Sequence, residues 1–430
     1  MPQRRRDAIM QIPEFMKALQ SGDLDPLLFG SPLRRPAVAK VVVACLSLLL
    51  LVAVAMSLLT LIDMGRAGTE VYVRALAATS ALSIVPIAVL WYLERRERES
   101  PWLFAIAFLW GGVIATWVSM PLNTLIILRV DQWLGQNPGL AEMLGSEATM
   151  MVGAPLAAPL VEETMKGLGI VLLFFMLRAE FDNMRDGFVY GALIGVGFNW
   201  VEAALYVAQG YVQFGDAPWG MQLGVRYALF GLAGHAMFSG LFGAMLGLAR
   251  QTSSVWLRYL APLAGLALAL AAHALNNVLP LVITLAQVAD GKAPPQHAEP
   301  PPTVGFFQAW MSASTLDLIL FLPFVALLAF LLYRSGRWER NVIRTELASE
   351  AQGYVTAEEH RQIESDGVFH TRRVDATQRR LSAELVRLQH ELAFRKRHVR
   401  TQGDDPEADP LVARWRADIL RVREAAARPA

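Results

Sequence analysis

A chain of 430 residues that is 54% hydrophobic and only 18% charged, with a mean hydropathy of +0.36, has the composition of a polytopic membrane protein. Its formal charge of +1 excludes a general nucleic-acid surface, so no nucleic-acid partner is expected. The lone cysteine, Cys45, lies in an apolar run and excludes both internal disulfides and a cysteine metal cluster.

The chain begins with a basic arm, residues 1-37, that carries Arg4, Arg5, Arg6, Arg34 and Arg35. It is too long and polar for a cleavable signal peptide, so the first span is expected to be retained. A span needs about 20 apolar residues, and eight windows qualify: 41-62, 75-93, 102-127, 148-177, 187-208, 223-248, 256-288 and 306-332. Basic residues fall on alternate connections, around Arg95-Arg96-Arg98, Arg178-Arg185, Arg250-Arg258 and Arg334-Arg337-Arg340, while the other connections hold little positive charge. That alternation predicts eight spans with both termini cytoplasmic.

The expected fold is all-α: a transmembrane helix bundle of about eight spans with a charged helical C-terminal tail. Residues 38-147 read as accessory helices 1-3 and residues 148-290 as a core of helices 4-7. A Pro-rich outer loop at 291-305, helix 8 at 306-333 and a cytoplasmic tail at 334-430 follow. In the tail, Leu381, Leu385, Leu388 and Leu392 form one apolar helical stripe, which fits packing on its own domain, the membrane surface, a protein partner or a second copy.

Ionisable groups inside spans cost at least ~2.5 kcal/mol each near the centre, so they tend to face protein or water and to mark function. Span four carries Glu162, Glu163 and Lys166, span five Glu202, and span six Arg226 and His235. Span seven carries His273 with Asn276 and Asn277, and span eight carries Asp317, which has no motif partner. At 1.5 Å per residue, His235 is expected about 18 Å into span six. Glu162 with Lys166, Phe198 with Glu202, His235 with Ser239, and His273 with Asn277 are i,i+4 pairs, each on one helix face. Four consecutive spans therefore each present one polar stripe. Glycines at 187, 191, 195 and 197 and at 231, 234, 240, 243 and 247 allow close helix packing around them.

A carboxylate pair, or a Glu with a His, can deprotonate a water, and a second His with an Asn amide can donate to an oxyanion. The same set can ligate zinc, with Glu163, Glu202, His235 and His273 as candidates, although no HExxH is present. There is no GxSxG, so Ser239 reads as a packing and hydrogen-bonding residue.

The ordered series EETMK, FNWVE, HAMFSG and HALNN on successive spans resembles the PrsW family of membrane-embedded proteases, within the superfamily of type II CAAX prenyl proteases and bacteriocin-processing enzymes. Glu162, Glu163 and Lys166 match the family's EExxK motif. Phe198 and Glu202 match FxxxE, and His235 and His273 with Asn277 match the two later His motifs. Asn277 stands where many members have Asp and is closer to the prenyl-protease branch, which leaves the substrate class open.

The resemblance implies glutamate-dependent peptide hydrolysis in a bacterial cytoplasmic (inner) membrane, on a membrane-anchored protein or peptide such as an anti-sigma factor. It further implies Glu162 or Glu163 as general base, with Glu202 and His235 holding the water or a metal and His273 and Asn277 stabilising the oxyanion. Two other classes use the same residues: a proton-coupled transporter or channel with a buried Glu/His relay, and a non-catalytic membrane scaffold.

Overall fold

The computed structural model describes residues 31–94, 100–177, 181–293, 300, 303–351, 353–367 and 379–427. The basic arm up to residue 30, Arg95, Arg96, Arg98 and Arg178, and much of the Pro-rich loop lie outside the described residues. Every regular element among the described residues is helical, which is how a backbone satisfies its own hydrogen bonds in hydrocarbon.

Helix α1 (Pro36–Leu93) has 58 residues, nearly three times what a ~30 Å core requires, and it is broken at Gly65. There φ is 66° and ψ −176°, a conformation open to glycine without a Cβ penalty. Leu46 and Leu49 before the break and Leu90 after it join one apolar cluster, whereas Ala53, Met64, Tyr72 and Ala75 join another. The two arms thus run side by side as a hairpin.

Helix α2 (Pro101–Gly135) contains a π-helical turn over Trp110–Ala115, where Thr116 Oγ1 donates to the Gly111 carbonyl at 2.9 Å. The Trp110 indole donates to the Met165 carbonyl at 2.9 Å and ties α2 to α3 (Ala148–Met176). Helix α4 (Met184–Phe214) is buried on nearly every side. It starts with a capping box in which the Asn183 side chain accepts from the Arg185 and Asp186 amides and the Asp186 carboxylate accepts from the Asn183 amide.

Beyond α4 come α5 (Trp219–Arg226), α6 (His235–Gln251) and α7 (Val255–Ala289). The close contact at the centre is α4 on α6. A Cβ on Gly195 would stand 2.1 Å from the His235 carbonyl oxygen, and one on Gly191 would stand 2.3 Å from that of Ser239.

Among the described residues, five helical stretches are long and apolar enough to cross a membrane, or six if the pair α8 (Phe306–Leu320) and α9 (Leu322–Ala348) is one bent span. The eight expected spans differ from this count at two places. The first two expected spans form one broken helix, and α3 falls short in apolarity because it carries Glu162, Glu163 and Lys166.

Two expected straight spans are not straight. Helices α8 and α9 meet at 73°. The window 223-248 is interrupted between α5 and α6, where Leu229, Phe230, Gly231 and Gly234 have positive φ of 47°, 60°, 75° and 62°. Side chains satisfy the freed backbone: Ser314 Oγ accepts from the Leu229 amide at 2.9 Å, the Trp310 indole donates to the Tyr227 carbonyl at 2.9 Å, and Asn199 donates to the Arg226 carbonyl at 3.0 Å. Non-helical backbone is tolerated at this depth where protein or a cavity surrounds it. His235 is therefore the first residue of α6 and not, as expected, about 18 Å into a continuous helix.

The end of α9 joins α10 (Ala357–Glu364), α11 (Arg379–Gln402) and α12 (Pro410–Ala427) in a separate apolar core that includes Leu347, Leu392, Phe394, Trp415 and Ile419. The leucine stripe of α11 faces that core through Leu388 and Leu392. Buried Lys396 pairs with Glu350, whose carboxylate also accepts from Arg416 at 2.7 Å.

The α4–α6 contact leaves no room for one added methyl group. Gly195→Ala should cost about 1–3 kcal/mol by overpacking and lower the thermal-unfolding midpoint in detergent. Gly139→Ala, whose Cβ would meet nothing within 4 Å, is the control; equal midpoints for the two variants would contradict the packing.

Candidate functional site

The helices enclose a cavity of about 650 Å³ lined by Asn123 of α2, Glu162 of α3, Phe198 and Glu202 of α4, Arg226 of α5, His235 of α6, His273 and Asn277 of α7, and Asp317 of α8. Glu162 and Glu163 are chain neighbours, so the helix turns them to different surroundings.

Glu163 is fully engaged. Its Oε1 takes the Lys166 ammonium at 2.5 Å and His273 Nδ1 at 2.9 Å, and its Oε2 accepts from Ser239 Oγ at 3.1 Å. Lys166 is completely buried. Its Nζ also meets His235 Nδ1 at 2.9 Å and lies 4.3 Å from the centre of the Phe198 ring. A buried ion pair is favourable only when further hydrogen bonds satisfy both partners, and α6 and α7 supply them here.

Glu162 is held at one oxygen only. Asn123 donates its amide to Oε1 at 3.0 Å, while Oε2 is buried without a hydrogen-bond partner. That free oxygen lies 3.9 Å from Lys166 Nζ and 3.9 Å from His273 Nε2.

The partners set the tautomers of both histidines. A carboxylate at His273 Nδ1 requires a proton there, so the neutral ring presents a bare Nε2 toward Glu162. An ammonium at His235 Nδ1 makes that atom the acceptor and leaves the proton on Nε2, which donates to Glu202 Oε2 at 2.7 Å. The same Glu202 oxygen forms an ion pair with Arg226, whose guanidinium lies over the Tyr206 ring at 4.2 Å.

All six residues expected in the site reach this one region. Asn277 sits at its edge, where its amide donates to the Ala154 carbonyl at 3.4 Å and its Oδ1 accepts from Asn276 at 3.0 Å. Ser239 orients Glu163, as its place one turn after His235 suggests. Sequence reasoning missed Asn123, which lies on a helix read as accessory; the one trace of it, a lone amide inside the apolar run 102-127, does not separate a site residue from a helix–helix hydrogen bonder. It also missed Arg226 as the counter-ion of Glu202.

One donor trio meets the spacing of a metal site: Glu162, His235 and His273 each offer a ligand atom, all within 4.8 Å of one another. Three such N and O ligands suit zinc with an open position. Glu163 and Glu202, expected as candidate ligands, stand outside the trio: Lys166, His273 and Ser239 take both oxygens of Glu163, and His235 and Arg226 share Oε2 of Glu202. Both His235 nitrogens are engaged as well, so a cation in the trio would displace either Lys166 or Glu202 from that ring.

Removing only the cation of the buried pair exposes how much it holds together. Lys166→Met leaves Glu163 buried and unpaired and should cost about 3–5 kcal/mol, whereas Lys166→Met with Glu163→Gln should recover most of that loss. Thermal unfolding in detergent distinguishes the outcomes, and a single variant as stable as the double one would contradict the pairing.

The model of the family described as PrsW family intramembrane metalloprotease matches residues 99–297. A curated relative, Protease PrsW of Geobacillus kaustophilus (strain HTA426), is 30% identical over 123 residues, covering 27% of this chain and 50% of the relative. The chain thus spans about half the length of that relative. No solved structure matches the chain significantly. The matched segment begins two residues before α2 and so takes in Asn123 together with both glutamates, Glu202 and both histidines: over residues 99–297 this membrane protein is similar to the PrsW family.

Proposed function

We propose that this chain is an intramembrane endopeptidase that hydrolyses a peptide bond in a membrane-anchored protein, with Glu162 as the general base. One observation carries the choice of glutamate. Glu162 has a buried oxygen with no partner on the cavity wall, whereas both oxygens of Glu163 are taken.

A water between Glu162 Oε2 and His273 Nε2 meets two acceptors and no competing donor from either group. Glu162 takes one proton as the water oxygen attacks the scissile carbonyl carbon, and the carbonyl oxygen becomes an oxyanion. Glu162 then returns that proton to the amine nitrogen as the C–N bond breaks. In its neutral form His273 has no proton on Nε2, so it suits the water better than the oxyanion role expected for it. The groups able to meet the oxyanion are the Asn277 amide and, close behind, the Lys166 ammonium. Glu163 positions rather than reacts: it fixes the His273 tautomer and holds Lys166.

The family's description implies a metal, and Glu162, His235 and His273 fit one in residue type and spacing. Bound there, it would supply Lewis acidity to the water and the scissile carbonyl. The cavity wall also carries Met120, Ile127, Leu205 and Val225, an apolar lining suited to a membrane-embedded segment. The alternation of arginines supports a cytoplasmic (inner) membrane location with both termini cytoplasmic.

New N-termini in membrane fractions, compared at equal protein levels, test the assignment. Glu162→Gln should lower the yield of chain-dependent fragments by roughly 10²–10⁴-fold, the range for loss of a positioned acid–base group. Cleavage at the wild-type rate by Glu162→Gln would overturn it.

A further inference from the structure

Asp317 lines the cavity but, unlike Glu162 and Glu202, has neither a role in the mechanism nor a place in the site's ion pairs. It is half-buried on α8, four residues before the bend at Phe321. Among the described residues its carboxylate has neither a hydrogen bond nor an ion-pair partner. The two cations nearby are already committed, Lys166 to Glu163 and Arg226 to Glu202.

The place of Asp317 relative to the reacting groups follows from the ring contacts. Phe321, one helical turn away, packs on Phe238 at 5.7 Å, and Phe238 stacks on His273 at 5.1 Å. With both histidines neutral, Glu162, Glu163, Glu202 and Asp317 oppose Lys166 and Arg226, a formal balance of −2 around the cavity. A carboxylate in an apolar wall without a counter-ion is costly, and such intramembrane groups serve a substrate or ion pathway. Asp317 also lies beyond the family-matched segment, so its placement is a property of this chain rather than of the shared region.

We propose that Asp317 selects substrates carrying a lysine or arginine close to the scissile bond, the side chain entering along α8 and pairing with this carboxylate. Residues within roughly three positions of the bond, about 10 Å of extended chain, can reach it. The proposal rests on the endopeptidase reading. Glu202 does not serve this purpose, because Arg226 already neutralises it. Discrimination has a repulsive side as well: an acidic side chain at the same place would meet a cavity of its own sign.

The test uses the full-length chain in membranes and a library of single-span reporter proteins with randomised residues around the point of cleavage. Wild type should cut sites enriched in Lys and Arg. Asp317→Asn should lower the ratio of basic to neutral sites by about 10- to 100-fold, the worth of a hydrogen bond to a charged group. Asp317→Lys should shift preference toward Asp and Glu. No basic enrichment in wild type, or an unchanged ratio in both variants, overturns the proposal while Glu162-dependent cleavage keeps the endopeptidase reading. Fragments that persist in Glu162→Gln overturn that reading and this one with it.

Discussion

The Lys166–Glu163 ion pair is the contact on which the rest of the site depends. Two opposite charges buried in an apolar helix repay their desolvation only if every remaining lone pair and proton is used. That demand recruits a histidine from α6, a histidine from α7 and a serine from α6 to one turn of α3. Each recruited histidine thereby has its proton assigned. The arrangement leaves Glu162, the adjacent residue, with an oxygen that nothing in the protein claims.

The surrounding architecture makes that pairing reachable. Glycines on α4 let α6 approach until backbone meets backbone, which brings the start of α6, and so His235, to the level of Lys166. The interrupted backbone before His235 serves the same end. A continuous helix from 223 to 248 would carry His235 in mid-span and close the space occupied by residues 227–234, several of which line the cavity. Strained dihedrals at Leu229 and Phe230 persist because Ser314 and Trp310 hold the turn from α8. Helix α8 thus supports the turn that leads into His235 as well as contributing Asp317 to the cavity wall.

Much of this was legible in the sequence, and the reason is that burying charge in a membrane is expensive. Glu162, Glu163, Lys166, Glu202, His235 and His273 stood out against apolar spans, and i,i+4 spacing assigned each to a helix face. What could not be read was tertiary. Asn123 meets Glu162 across helices, and no local pattern distinguishes it from an amide that simply joins two helices. Arg226 could not be paired with Glu202 because its depth depends on a break in the backbone that hydropathy does not register. The 73° bend at Phe321 is equally invisible to composition, since both halves are apolar. The tail's leucine stripe was visible, but its burial partners on α9, α10 and α12 lie far away in sequence.

The central claim is a division of labour between adjacent carboxylates, with Glu162 on the cavity wall and Glu163 sealed behind it. Cysteine labelling measures that division directly. In a Cys45→Ser background, Glu162→Cys and Glu163→Cys proteins in native membranes are exposed to a small water-soluble methanethiosulfonate, and the rates of modification are compared. The structure predicts rapid modification at 162 and protection at 163; a faster rate at 163 would contradict it.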